Sequence, residues 1–276
     1  MQRFSTDRYN IFMVVPGVHS YLHHADSQGE ARERARQRLI VALDAPDAAS
    51  AMAMADKLEG SCAWFKVGLE LFVAAGPVAI EPLLKRGHQV FLDLKLHDIP
   101  NTVAGAVRSA AALGVRLLTV HAAGGPAMLA AAREALAGTA NPPELLAVTV
   151  LTSMDEAQMK AVGVHRSAAH QVELLAKVGL DAGIRGFVCS PMEAATLRQM
   201  TGPSGVLVTP GIRPSVTGRS GNASSGDVPD DQKRIASPAE ALRAGASYLV
   251  VGRPITQAAD PAKAAEGILA EMAGVV

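Results

Sequence analysis

The sequence predicts an α/β protein, a (β/α)8 TIM barrel in one domain, on three observations. From residue 39 onward, eight short runs of strand-forming composition alternate with Ala-rich runs of helical composition. A strand followed by a helix, repeated along a chain, is typical of parallel strands joined by crossover helices. The chain has 276 residues, 49% of them hydrophobic, which suits a barrel of about 250 residues. An open, doubly wound sheet is the alternative architecture.

The predicted strands are mostly apolar runs, and the residues at their ends are often polar. They cover residues 39–45, 64–71, 89–96, 117–123, 145–153, 186–191, 206–213 and 248–255. Helical composition between the strands is clearest in residues 47–60, 101–114 and 124–138. Because aromatic residues make up only 4% of the chain, we expect a core built mainly from Ala, Val, Leu and Ile.

Two segments fall outside the alternation of strands and helices. Residues 1–37 mix isolated apolar residues with an Arg-rich run at 30–38, which predicts an N-terminal extension before a barrel domain over 38–276. Residues 214–231 are rich in Gly, Ser and Asp and lack apolar periodicity. A long connection of this kind inside a compact domain is usually a lid or a disordered insert.

Composition argues against several classes of partner. Lys and Arg total 26, as do Asp and Glu, so no global field attracts nucleic acid or an anionic membrane. The longest apolar runs, such as residues 145–151, are too short to span a bilayer. Cys62 and Cys189 form no CxxC pair, which favours buried thiols in a reducing compartment. We therefore expect a cytoplasmic protein without a nucleic-acid or membrane partner.

Polar side chains recur at the carboxyl ends of the predicted strands. In a barrel these ends form one mouth, where active sites are built. The sequence thus predicts that residues far apart along the chain converge on one pocket. They are Asp44, Lys66, Asp93 with Lys95, His121, Thr152 with Ser153, Ser190, Arg213 and Arg253.

The stretch QVFLDLKLHDIPNTV at 89–103 concentrates charge at the end of an apolar strand. Because strand side chains alternate, Asp93 and Lys95 share one face, and the leucines between them face the outer helices. Asp44 and Lys66 on the two preceding strands extend this to a row of alternating sign, which keeps an ammonium protonated. A salt-bridge cluster that merely plugs the barrel is the alternative. Asn101 or Thr102 is expected to cap the following helix.

Candidate phosphate contacts lie near the C-terminal end of the chain. In VVGRPI, Gly252 and Arg253 are expected at the start of the last helical turn. Barrels of this class recurrently bind phosphate after strands seven and eight. Arg213 and Gln232 bracket the long loop and are expected to reach the same anion. These residue types predict a phosphorylated small molecule beside a protonated lysine, with no metal cage.

Five motifs in order make the chain resemble the bacterial type of the orotidine 5′-phosphate decarboxylase family from about residue 39 to 257. They are DxKxxDIPNT at 93–102, LTS at 151–153, TPGIR at 209–213, DQKR at 231–234 and GRPIT at 252–256. The resemblance implies a TIM barrel that decarboxylates orotidine 5′-phosphate to UMP and CO2 without cofactor or metal. This reaction is the final step of de novo pyrimidine biosynthesis. The 1–37 extension has no counterpart in the family pattern.

The resemblance also implies residue roles. Lys95 would deliver a proton to C6 of the pyrimidine, and Asp93 would lie beside the substrate carboxylate. Asp98 would reach into the neighbouring subunit's site, which implies a homodimer with shared active sites. Lys66 would join the charge network and, with Asp44, contact the ribose. The remaining implied positions are Thr102 in the partner-facing run, Thr152 and Ser153 at the pyrimidine, and Arg213, Gln232, Gly252 and Arg253 around the phosphate.

Two other functions fit the barrel and its polar residues. One is a magnesium-dependent reaction on a sugar phosphate. The runs HDIPNT and DQKR favour the nucleotide reaction over this alternative. The other is a catalytically inactive sensor of nucleotide phosphates. Asp93, Lys95 and Asp98 argue against a sensor, because a sensor needs no proton donor.

Overall fold

The computed structural model describes residues 28–214 and 234–276, and in this part eight parallel strands close into a barrel. Each strand pairs with its neighbours in chain order, and β1 pairs with β8 to close the ring. The predicted barrel is confirmed and the open sheet is excluded. The strands are β1 (Leu39–Leu43), β2 (Trp64–Gly68), β3 (Gln89–Leu96), β4 (Leu117–His121), β5 (Glu144–Val148), β6 (Gly186–Val188), β7 (Val206–Thr209) and β8 (Tyr248–Val251).

The helices surround this barrel and connect its strands. Helix α1 covers 28–36. The others are α2 (Ala48–Lys57), α3 (Leu69–Ala75), α4 (Glu81–Lys85), α5 (Pro100–Ala112), α6 (Gly125–Glu134), α7 (Glu156–Ala161), α8 (Ala168–Asp181), α9 (Ala194–Thr201), α10 (Pro238–Arg243), α11 (Arg253–Thr256) and α12 (Pro261–Ala273). No described helix has the length and apolar character that crossing a membrane requires.

All eight predicted strands are present, but most end earlier than predicted. The run predicted at 145–153 stops at Val148, and the run at 206–213 stops at Thr209. The residues after these points leave the ladder and form loops at the barrel mouth, where they no longer share strand geometry. Half of the polar residues predicted at strand ends are therefore loop residues, namely Asp44, Thr152, Ser153, Ser190 and Arg213.

Alternation along the strands divides the core into two clusters. In β1, Leu39, Val41 and Leu43 belong to the large cluster between strands and helices, whereas Ile40 and Ala42 face the barrel interior. This two-residue period is the one expected for a strand. The interior cluster consists of Ile40, Ala42, Ala63, Trp64, Phe91, Leu117, Leu146, Val208 and Val250. These apolar residues fill the barrel below its mouth.

Helix α1 packs against the barrel through a buried residue and an ion pair. Ala35 is fully buried in the large apolar cluster. The Arg32 guanidinium donates to the Glu266 carboxylate of α12 at 3.0 and 2.5 Å. The described part of the predicted extension therefore packs on the barrel, while residues 1–27 lie outside the described residues.

The start of α5 differs from the prediction. The helix begins at Pro100 with Ile99 in the capping position and no side-chain cap. Asn101 and Thr102 lie within its first turn, so the prediction that one of them caps the helix is wrong. Proline favours the first helical position because its missing N–H is not needed there. With Pro100 in that position, the capping residue is Ile99.

Candidate active site

A cavity of about 550 Å³ opens at the carboxyl ends of the strands. Its lining comes from the carboxyl ends of β1, β2, β3, β5, β6 and β8 and from segments that follow β1, β2, β5, β6, β7 and β8, so residues distant in sequence share one space. Among its lining residues are Asp44, Lys66, Asp93, Lys95, Thr152, Ser153, Arg213, Gly252 and Arg253.

Four of these side chains form a row of alternating charge. Lys66 Nζ lies 3.1 Å from Asp44 Oδ1 and 3.7 Å from Asp93 Oδ2. Lys95 Nζ lies 2.9 and 3.0 Å from the two Asp93 oxygens. The Lys66 and Asp93 side chains are each 12% exposed, which strengthens their electrostatic interaction relative to water. The row therefore holds two ammonium groups against one central carboxylate.

An irregularity in β3 sets the position of Lys95. The pairing of β3 with β4 shifts between Leu92 and Leu96. Lys95 has φ 50°, a left-handed backbone that no other non-glycine residue adopts within 28–214 and 234–276. Such a conformation is costly for a side chain with a Cβ and persists where surrounding contacts impose it. The bulge thus aims the lysine at the cavity.

Thr119 fixes this irregular segment from the neighbouring strand. Its Oγ1 accepts a hydrogen bond from Lys95 N at 2.7 Å and donates to Asp93 Oδ1 at 3.1 Å. The residue is fully buried. Sequence reasoning missed Thr119 because it reads as an ordinary strand residue in LLTVH. The available signal was its spacing of two from Leu117, which points it into the barrel.

Gly68 at the end of β2 leaves space for the lysine ammonium. A Cβ on this residue would lie 2.7 Å from Lys66 Nζ and 3.4 Å from Asp44 Oδ1. The first distance is below any ordinary contact, so a side chain here would displace the ammonium. The absence of a side chain at this position is therefore part of the site's geometry.

Two guanidinium groups, those of Arg213 and Arg253, also line the cavity. Arg253 is the first residue of α11, and Gly252 caps that helix. The Arg213 guanidinium donates to the carbonyl of Ile212 at 2.9 Å. Paired Arg side chains with nearby backbone are suited to binding a phosphate through several hydrogen bonds. The cavity thus holds the carboxylate–ammonium row together with two guanidinium groups.

The sequence profile of the Orotidine 5′-phosphate decarboxylase / HUMPS family matches residues 37–268. The chain belongs to this family. It is 49% identical to the orotidine 5′-phosphate decarboxylase of Moorella thermoacetica over 247 residues, 87% of this chain and 94% of that relative. It is 50% identical to the one from Alkalilimnicola ehrlichii over 236 residues, 86% and 96% of the two chains. The crystal structure of the Lactobacillus acidophilus enzyme matches with a TM-score of 0.72 at 39% identity, covering 86% and 99% of the chains.

Two residues that the family resemblance implies for the site lie outside the cavity, although both are within the matched range. Asp98 and Thr102 are exposed and are not among the lining residues. Asp98 Oδ1 accepts a hydrogen bond from Ile99 N at 2.6 Å. Gln232 lies outside the described residues. A single copy of this family member therefore does not bring Asp98 and Thr102 to the charged row.

His121 and Ser190 were also expected at the pocket, and this expectation is wrong. The His121 ring stacks on His97, with 5.1 Å between centroids. Burial, reinforced by the His97 and Lys95 charges, lowers the pKa of His121. Ser190 is buried and its N–H donates to Glu193 Oε2 at 2.9 Å. His121 is the last residue of β4 and Ser190 follows β6, but neither is among the residues that line the cavity.

Within residues 28–214 and 234–276, no group of three or more His, Cys, Asp or Glu side chains is placed to hold a metal ion. The expectation of a reaction without metal stays a prediction, and treatment with a chelator tests it.

Proposed function

We propose that this chain decarboxylates orotidine 5′-phosphate to UMP and CO2 without a cofactor. The observation that carries the proposal is the alternating row from Asp44 to Lys95, in the same cavity as Arg213 and Arg253. Relatives at about half identity over most of the chain carry the name of this enzyme. The reaction would complete de novo pyrimidine biosynthesis.

Lys95 has the central chemical role in this proposal. Loss of CO2 leaves an electron pair at C6 in an sp² orbital, with no carbonyl or imine placed to accept it. A preorganised ammonium stabilises charge that develops in the transition state, and it does so without reorganising at that moment. Lys95 Nζ then transfers a proton to C6, the new C–H bond completes UMP, and solvent reprotonates the amine.

Asp93 would have two roles in the reaction, one toward Lys95 and one toward the substrate carboxylate. Its contacts hold the Lys95 ammonium in place at 2.9 and 3.0 Å. Beside the substrate carboxylate, the same negative charge would repel the group that leaves as CO2. Departure of CO2 would relieve this repulsion.

The remaining lining residues would bind the rest of the nucleotide. Asp44 and Lys66 would contact the ribose hydroxyls, and Thr152 and Ser153 would contact the pyrimidine. Arg213, Gly252 and Arg253 would bind the phosphate, with Gln232 as a further contact implied by the family motif. Binding energy from the non-reacting phosphate can then align the reacting end of the substrate.

We infer a homodimer in which Asp98 and Thr102 face the partner subunit's cavity. Both residues are exposed on the segment that follows β3, at the mouth end of the barrel. Ile99, next to Asp98, is 67% exposed, and on helix α3, which follows β2, Leu69 is 53% and Val73 82% exposed. Large apolar side chains that a single copy leaves exposed can be covered by a partner at an interface.

We also infer a cytoplasmic location. Cys62 and Cys189 are free and buried. Burial raises the pKa of both thiols to about 12, so they remain protonated and unreactive. Unpaired structural thiols are usual in a reducing compartment.

The test is the loss of orotidylate absorbance after mixing with purified protein pretreated with EDTA. The proposal expects conversion to UMP at an undiminished rate, with heat-denatured protein as the control. Activity that disappears with EDTA and returns with Mg²⁺ would favour the sugar-phosphate type of chemistry and contradict the cofactor-free reaction.

A further inference from the structure

A second buried ion pair lies just outside the cavity. The Arg234 guanidinium contacts the Glu193 carboxylate through Nη1 and Oε1, with side chains only 15% and 8% exposed. The other Glu193 oxygen accepts hydrogen bonds from the N–H and the hydroxyl of Ser190. This cluster therefore fixes the Arg234 guanidinium to the segment that follows β6.

Arg234 also binds the segment that follows β5. Its Nη2 donates to the carbonyl oxygens of Leu151 at 3.0 Å and Val150 at 3.3 Å. The next two residues along the chain are Thr152 and Ser153, which line the cavity. The guanidinium thus binds the carbonyl of Leu151, the residue directly before Thr152 and Ser153, which are proposed to contact the pyrimidine.

The backbone links the same arginine to the phosphate side. Ala236, two residues after Arg234, pairs with Ile212 in an isolated parallel bridge. Arg213 N donates to Ala236 O at 2.9 Å, and Ala236 N donates to Gly211 O at 3.2 Å. A continuous set of hydrogen bonds therefore runs from Arg213 through the 234–236 segment to residues 150–151.

A role in stability alone explains this arrangement poorly. Buried ion pairs often add little net stability, because removing two charges from water offsets their attraction. Arg234 Nε is buried and has no hydrogen-bond partner within the described part of the chain. An unsatisfied buried donor is a further cost. What distinguishes the pair is its position between residues 150–153 and 211–213, two segments that line the cavity.

We propose that Glu193 and Arg234 are positioning residues that couple the phosphate-side Arg213 to the pyrimidine-side Thr152 and Ser153. Binding of the substrate phosphate at Arg213 would then set the alignment of the pyrimidine through the 234–236 segment. This inference rests on the proposed decarboxylation, and it adds two residues that do not line the cavity.

The test compares kcat/KM for orotidine 5′-phosphate with kcat/KM for orotidine, which lacks the phosphate. Glu193→Gln removes the charge but keeps the shape, and Arg234→Lys keeps the charge but removes the fork. Glu266→Gln is the matched control, because it breaks the Arg32–Glu266 pair on the outside of the barrel. We expect the ratio of the two kcat/KM values to fall by about tenfold or more in both variants and to stay unchanged in the control.

A ratio that stays at the wild-type value would overturn the proposal, even if both activities fall together. Thermal unfolding measured by circular dichroism accompanies each variant. If both variants fail to fold, the pair serves the fold and the coupling role is rejected. The wild-type arm separately decides the proposed function, because an inactive wild-type protein would refute decarboxylation before any variant is compared.

Discussion

Lys95 Nζ lies 2.9 and 3.0 Å from the two carboxylate oxygens of Asp93, two residues earlier on β3. Lys66 Nζ lies 3.7 Å from Oδ2 of the same carboxylate. One buried negative charge thus stands between two ammonium groups. Removing it would leave two like charges facing each other, so the row depends on its central member.

Asp93→Asn should lower kcat on the order of 10²- to 10³-fold, the usual effect of losing one preorganised electrostatic contact. Without the charge, Lys66 and Lys95 repel each other and the Lys95 ammonium moves away from its position. Steady-state kinetics on orotidine 5′-phosphate measures the change. Asp56→Asn is the control, since Asp56 pairs with Arg86 at the surface. Equal kcat in the two variants would contradict the role of Asp93.

Thr119→Val should lower both activity and stability although it preserves shape. Valine cannot accept from Lys95 N or donate to Asp93, and an unsatisfied buried group costs about 1–3 kcal/mol. Urea unfolding measures the stability of the variants, and steady-state kinetics measures their activity. Thr119→Ser keeps the hydroxyl and should retain most of the activity. A valine variant as active as the serine variant would show that the hydroxyl does not position Lys95.

Gly68→Ala should weaken the site by displacing the Lys66 ammonium, which a Cβ would approach to 2.7 Å. We expect a higher KM for orotidine 5′-phosphate, because Lys66 is proposed to contact the ribose. Gly267→Ala is the control: its Cβ would meet no atom within 4 Å. In helix α12 this change should raise stability by about 0.5–1 kcal/mol. An unchanged KM in Gly68→Ala would contradict the steric account.

Shared active sites predict complementation between two inactive variants. Asp98→Ala and Lys95→Ala should each be inactive alone, because every site in either homodimer lacks one residue. After mixing and subunit exchange, one of the two heterodimer sites draws both residues from intact copies. Turnover should therefore return in the mixture. Its failure to return, with heterodimers shown by native mass spectrometry, would reject sharing of Asp98.

The row of charged residues could be predicted from the sequence because side chains alternate along a strand. Alternation predicts Asp93 and Lys95 on one face, although the irregularity in β3 sets the final position of Lys95. The barrel brings the carboxyl ends of neighbouring strands together. Asp44 and Lys66 follow by the same rule. These four residues lie in one row in the structure, as predicted.

Features that depend on contacts between distant segments were not predictable in this way. Thr119 acquires its role only through the β3 bulge, and the left-handed backbone of Lys95 has no signal in its residue type. The pairing of Glu193 with Arg234 joins residues 41 positions apart. For His121 the prediction went too far: the residue ends β4 as expected, but its ring stacks on His97 and does not line the cavity.

The most direct test of the central claim is single-turnover conversion of orotidine 5′-phosphate by Lys95→Ala beside the wild-type protein. Circular dichroism and UMP binding would establish that the variant is folded and retains its cavity. We predict a loss of rate on the order of 10⁴-fold or more, because both the charge and the proton donor are removed. A variant that converts the substrate at close to the wild-type rate would contradict the assignment of Lys95 as the group that stabilises and protonates the carbanion.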